Sequence, residues 1–274
     1  MAKRIYAVND NYFDDLNSEG PSYWLGVLSA DGYVWENRNS VNLTVKESDR
    51  EWLEMYKKAL GIEAPILEGY PKGCIRVIFT SGRIVQNLYR YGIHQKKSLD
   101  LCFCQDVTEQ QVRHYIRGLI DGDGSLTLTN RSCMISLTGT EDITSRVASY
   151  LARYTTKNSQ KLRSKNLVRK KHQTKNTFCV SWGGLQNVSG IIEHLYNKSD
   201  YFLLRKKEIA QKMTSQASVD IHNQSSMYSD LTGEDLMDFY KEHKSWRGVA
   251  RFLGVRHCAF IDYKIKVLGR EKRK

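Results

Sequence analysis

Two aspartates carry the clearest chemical signal in this 274-residue chain. Asp31 and Asp123 lie 92 residues apart, and each is followed by glycine. Each ends an apolar stretch with a glycine and then a small residue four positions later: Gly26 and Ala30 in the first, Gly118 and Gly122 in the second. One Asp-Gly after a helix is ordinarily a turn. Two copies on matched helices suggest more. Small residues at i and i+4 let two helix backbones approach closely, which would set the two C-terminal ends side by side. The helix dipole is negative there, so a carboxylate is unwelcome unless a cation offsets it. A carboxylate pair holding Mg²⁺ suits hydrolysis of a phosphodiester, because the metal activates water and steadies the leaving oxygen.

The elements that must position these groups recur with the motif. Segments 23–33 (YWLGVLSADGY) and 115–125 (YIRGLIDGDGS) repeat each other, which predicts two pseudo-equivalent halves. The first helix is expected to start after Pro21, capped by Ser22, and the second to open with the capping box Thr108-x-x-Gln111. Asp-Gly at each end suits a left-handed C-cap. After the first motif the patterning predicts strands at 33–35, 41–45, 66–68 and 75–80 and helices over 49–60 and 83–91. After the second it predicts strands at 125–130, 134–137 and 177–182 and helices over 141–154 and 185–196. Both halves read α-β-β-α-β-β-α, an α+β architecture, with boundaries at 1–104 and 105–212. Residues 213–230 are Ser/Gln-rich and read as a linker, and 231–274 as a third, helical unit.

Forty-two Lys+Arg against 30 Asp+Glu leave a net charge of +12. That surplus points to a polyanion, nucleic acid above all. No apolar run reaches the length of a membrane span and no secretory leader is visible, so an intracellular protein, cytoplasmic or associated with an organelle or nucleoid, is expected. Six scattered cysteines without a Cys-x-x-Cys pair read as free thiols. Between Arg153 and Lys175 nine Lys/Arg and no acid occur. A run like that is usually a solvated face.

The paired segments resemble the LAGLIDADG motif. Residues 116–124 (IRGLIDGDG) match it closely, and 24–32 (WLGVLSADG) match it with Ser29 in place of the first acid. Two copies in one chain resemble the monomeric LAGLIDADG homing endonucleases over residues 15–212. The resemblance implies that Asp31 and Asp123 bind the metal, Mg²⁺ with Mn²⁺ able to substitute. It also implies a basic residue beside each site. Lys97 in 91–101 is the best match, with Lys96 next; Lys206 in 201–212 is the best match, with Lys207 as alternative. Such a lysine polarises the attacking water or stabilises charge on the phosphate, unless it merely touches the DNA backbone.

The same resemblance implies saddle-shaped antiparallel sheets on the major groove of a long, near-palindromic double-stranded site, cut across the minor groove by a monomer to leave short 3′ overhangs. Alternation nominates Trp35, Glu36, Arg38, Asn42 and Thr44, then Thr127, Thr129, Arg131 and Ser136, for the concave faces. Within such a fold, Lys161, Arg163, Lys165, Arg169 and Lys170 would lie along phosphates. At the C-terminus, Ser245 can cap a helix bearing Trp246, Val249, Ala250 and Leu253, with a turn at Gly254 and a second helix carrying Ala259, Phe260 and Tyr263. That pattern resembles a helix-turn-helix, whose second helix would present Arg256, His257 and Lys264 to a major groove; a helical hairpin used only for packing has the same pattern. Two further readings of the chain stay open. One is an intron RNA maturase on the same scaffold, and the other a DNA-binding regulator that does not cut.

Overall fold

The computed structural model describes residues 5–129, 133–155, 177–226 and 232–253. Helix α1 (Glu19–Ala30) leads into a hairpin, β1 (Gly32–Trp35) and β2 (Ser40–Lys46), followed by α2 (Arg50–Leu60), β3 (Leu67–Glu68), β4 (Cys74–Thr80) and α3 (Gly82–Arg90). The second half repeats the plan with α4 (Val112–Asp123), β5 (Gly124–Leu128), β6 (Cys133–Gly139), α5 (Glu141–Leu151), β7 (Phe178–Gly183) and α6 (Leu185–Tyr196). Helices α7 (Leu204–Ser226), α8 (Gly233–His243) and α9 (Trp246–Phe252) follow.

All strand pairs are antiparallel, in the orders β1-β2-β4-β3 and β5-β6-β7. Alternation sets the faces. Val41, Leu43 and Val45 of β2 register with Phe79, Val77 and Ile75 of β4, and all six are buried. Asn42, Thr44 and Lys46 therefore fall on the opposite, open face with Tyr33, Arg76 and Ile78. In the second sheet Ile135 and Leu137 face the core beside Trp182 and Val180, which leaves Thr127, Met134, Ser136 and Ser181 on its open face. One hydrophobic core runs through both halves, from Val8 to Met213. Leu236, Val249 and Ala250 form a separate small cluster under α8 and α9.

Several boundaries differ from the sequence expectation. Helix α1 starts three residues before Ser22, with Ser18 as N-cap. Pro21 fits because the first turn needs no intrahelical N–H, and the Ser22 hydroxyl instead donates to Leu16 O at 2.9 Å. Thr108–Gln111 is a turn, not a capping box. The Gln111 and Val112 N–H groups donate to Thr108 O, and Gln111 caps α4 without a side-chain bond. Gly124 is extended, not left-handed (φ −87°). Glycine is needed there for space, because a Cβ would sit 2.5 Å from Ile120 O. The linker expected over 213–230 begins inside α7, which runs to Ser226. Ala210, Met213 and Ala217 are buried at i, i+3 and i+7, an apolar stripe that outweighs the polar composition around it. Most of the basic stretch between Arg153 and Lys175 falls in 156–176, outside the described residues, as do Gly254 and the second helix expected in the C-terminal unit.

Candidate active site

The site is built where α1 and α4 meet. The two helices make the most extensive helix pair among the described residues. Gly26 and Gly118 face each other: a Cβ on Gly26 would lie 2.2 Å from Tyr115 O, and one on Gly118 would lie 2.2 Å from Tyr23 O. A turn later, a Cβ on Gly122 would lie 2.4 Å from Ala30 Cβ and 3.2 Å from Asp31 Oδ2. The small residues thus act as their spacing suggested, and the helices end together.

The repeat is locked by reciprocal bonds that sequence reading missed. Tyr23 of α1 donates to Asp121 Oδ2 of α4 at 2.7 Å. The matching pair, Tyr115 of α4 and Ser29 of α1, stands at 3.3 Å. Tyr23 and Tyr115 are 92 residues apart, as are Ser29 and Asp121, so the repeat offset alone contained the signal. Asp121 is fully buried and also accepts from Tyr196 Oη at 2.6 Å and from the Leu203 N–H at 2.9 Å. Burial pushes its carboxyl up, opposed by Lys206 and by these donors. Arg117, with 0% of its surface exposed, ties the halves again through Glu19 at 2.6 Å and the carbonyls of Leu195 and Tyr201.

Asp31 and Asp123 sit at the helix ends, both open to solvent but crowded by protein on their other sides. Crowding raises the Asp31 carboxyl to about 6, with the neighbouring Asp123 charge adding to it and Lys206, Lys97 and Arg205 opposing. Asp123 is raised by the same desolvation, against Lys97 and Lys206. Neither carboxylate accepts a hydrogen bond among the described residues.

Both best-matched lysines reach this point. Lys97 donates to Gly32 O and Lys206 to Gly124 O, equivalent carbonyls in the two motifs. Their alternatives lie elsewhere: Lys96 is exposed, and the Lys207 ammonium stacks over the Phe202 ring at 3.4 Å. Instead of surface lysines, Lys97 and Lys206 are 8% and 3% exposed. Burial lowers both, Lys206 to about 8. Arg205, beside Lys206, is held by the buried Asp49 at 3.0 Å.

The predicted DNA-facing residues divide. Asn42, Thr44, Thr127 and Ser136 lie on the open sheet faces, and Trp35 ends β1 packed edge-on against Tyr33. Asn42 and Thr44 bond to each other. Glu36 and Arg38 are not on a strand. They form a 3-10 turn at the end of the β1–β2 hairpin, closed by left-handed Asn39 (φ 46°). Arg131, Lys161, Arg163, Lys165, Arg169, Lys170, Arg256, His257 and Lys264 lie outside the described residues. Sequence reading passed over Arg76. It sits mid-sheet on the open face of β4, between Thr44 and Leu67, and its buried Nε has no partner among the described residues.

No family model and no curated protein matches the sequence. Among solved structures, the LAGLIDADG meganuclease I-AabMI bound to uncleaved DNA is similar over 74% of this chain and 92% of its own, with a TM-score of 0.50 at 11% identity. A double mutant of I-SmaMI, a LAGLIDADG homing endonuclease, is similar over 80% of this chain and 95% of its own, with a TM-score of 0.50 at 12% identity. The chain therefore has the α+β LAGLIDADG endonuclease fold, two antiparallel sheets joined through paired motif helices. Its structural neighbours are LAGLIDADG homing endonucleases. None of its helices, among the described residues, is long and apolar enough to cross a membrane.

Proposed function

We propose that this chain is a site-specific endonuclease of double-stranded DNA that needs a divalent cation. The observation that carries the reading is the carboxylate pair. Asp31 and Asp123 are brought together at two negative helix ends, face solvent, and accept no hydrogen bond among the described residues. Two like charges with unused oxygen lone pairs and raised proton affinity are short of a cation. Two carboxylates leave the remaining positions of a hard ion to water and substrate oxygens. Asp31 and Asp123 would hold Mg²⁺, or Mn²⁺ in its place. Bound there, the ion supplies water activation and charge stabilisation for phosphodiester hydrolysis.

The rest of the work belongs to the chain. The open sheet faces present Asn42, Thr44, Arg76, Thr127 and Ser136 to base edges, where Arg and Asn match guanine and adenine. The surplus positive charge holds the backbone and sets the salt dependence without choosing sequence. The lysines keep positive charge beside the scissile region. The I-AabMI neighbour is bound to uncleaved DNA, which supports a duplex as partner.

The test is selection of purified protein on a randomised duplex library with Mg²⁺, followed by cleavage of the enriched site. Asp31→Asn and Asp123→Asn are each expected to abolish cleavage while retaining binding. Wild-type protein that enriches a site and never cuts it refutes the nuclease; full cutting by both variants refutes the metal ligands.

A further inference from the structure

The two motif lysines occupy equivalent places and make unequal bonds. An ammonium group has three protons to donate. The Lys206 Nζ donates to Ile120 O at 2.6 Å, Asp121 O at 2.7 Å and Gly124 O at 2.7 Å, with Gly122 O further off at 3.5 Å. Its three protons are spent on two carbonyls in the last turn of α4 and on that of Gly124, the first residue of β5. Lys97 has one protein acceptor among the described residues, Gly32 O. The carbonyls of Leu28, Ser29 and Ala30, which match three of the four around Lys206, accept nothing from it.

The supports differ in the same direction. Lys206 lies in the first turn of the 23-residue α7, whose entry is fixed by Leu203 N–H donating to buried Asp121. Asp121 also supplies the strongest counter-charge to Lys206, ahead of Asp31 and Asp123, whereas Lys97 has only Asp123 and Asp31. In the first half that position is Ser29, which carries no charge. Lys97 rides on a three-residue 3-10 turn behind Lys96, a non-glycine residue in the left-handed region (φ 66°).

We infer that the lysines are not interchangeable: Lys206 is a structural cap that closes α4, and Lys97 is the one with ammonium protons to give to a phosphate or an attacking water. This rests on the nuclease reading and deepens it. The two DNA strands then meet different devices, one with a donating lysine and one without.

Two measurements test it. In ¹⁵N-lysine NMR of the full chain without DNA, the Lys206 ammonium protons are expected to exchange with water far more slowly than those of Lys97. In single-turnover cleavage of the selected site with each strand labelled, Lys97→Met is expected to slow one strand about 100-fold or more. The other strand stays within about threefold, so nicked DNA accumulates, and Tm falls less than in Lys206→Met, which strips three acceptors and not one. Lys97→Arg restores part of the lost rate. Lys206→Met lowers Tm and slows both strands together. Equal exchange at both ammonium groups, or equal slowing of both strands by Lys97→Met, overturns the inference. If the wild type cuts no enriched site the nuclease reading fails, and the exchange measurement still decides whether Lys206 is a cap.

Discussion

Adding one methyl group at Gly118 tests the architecture of the site most directly. In Gly118→Ala the new Cβ lies 2.2 Å from Tyr23 O, 2.9 Å from Val27 N and 3.0 Å from the Gly26 Cα. All three are backbone atoms, so no side chain can swing aside. Relief to an ordinary contact of about 3.4 Å requires α1 and α4 to part by about 1 Å. That movement stretches the buried Tyr23–Asp121 bond, now 2.7 Å, and the Ser29–Tyr115 pair, now 3.3 Å. Overpacking costs ~1–3 kcal/mol, and a weakened buried hydrogen bond about 1 kcal/mol more. Alanine's better helix propensity returns about 1 kcal/mol. The net loss of about 1–3 kcal/mol lowers Tm by roughly 2–12 °C in a protein of this size. Gly183→Ala is the control, because its Cβ would meet nothing nearer than Cys133 O at 4.0 Å. Thermal melts followed by circular dichroism decide. A Gly118→Ala protein that melts with the wild type refutes the close helix contact.

Without divalent cations, the raised Asp31 carboxyl makes stability fall as pH rises. The folded group titrates at about 6 and the unfolded one at about 4, so the native state binds the extra proton between those values and loses that advantage above them. Asp31→Asn should therefore melt higher than the wild type at pH 7.5 and no higher at pH 3.5; a gap independent of pH would contradict the crowding of the two carboxylates. Mg²⁺ titrated at pH 7.5 should raise the Tm of the wild type and not that of Asp31→Asn, read by the same melts. Arg117→Met removes the cation from Glu19, which keeps only the Asp200 and Tyr201 N–H donors, and leaves the Leu195 and Tyr201 carbonyls without theirs; it should cost ~3–5 kcal/mol, with Glu19→Gln in the same chain recovering part of it, and urea unfolding of the single and double variants measures both. Replacing Lys161, Arg163, Lys165 and Arg169 by Gln should flatten the dependence of log affinity on log salt by roughly one unit per residue, and an unchanged slope in fluorescence anisotropy would remove them from the phosphate contacts.

The fold was legible where pattern and function coincide. The small-residue spacing at Gly26, Ala30, Gly118 and Gly122 foretold the helix contact, and patterning marked strands at 41–45 and 134–137, where Val41, Leu43, Ile135 and Leu137 are buried. Helix starts were harder to see. Ser22 and Thr108 are good capping types, yet each finds a backbone or turn partner, and the helices start where tertiary contacts fix them: Glu19 meets Arg117 and the N–H groups of Asp200 and Tyr201. α7 hid behind polar composition because three buried positions on one face suffice to seat it. At the site, the residue types were readable and the bonding was not. Nothing in the local sequence of Lys206 announces three carbonyl acceptors that come from the end of α4 and the start of β5.

The backbone contact between Gly26 and Gly118 has a consequence for building new proteins from this one. Helices cushioned by side chains can settle at several separations, but two that touch main chain to main chain have one setting. A hybrid joining residues up to 104 of this chain to the second half of a protein of the same fold would keep that setting only if the donor brings glycine to the meeting point. A donor with a larger residue there would misalign both carboxylates at once, so compatibility at this joint can be screened from the donor's sequence before any hybrid is made.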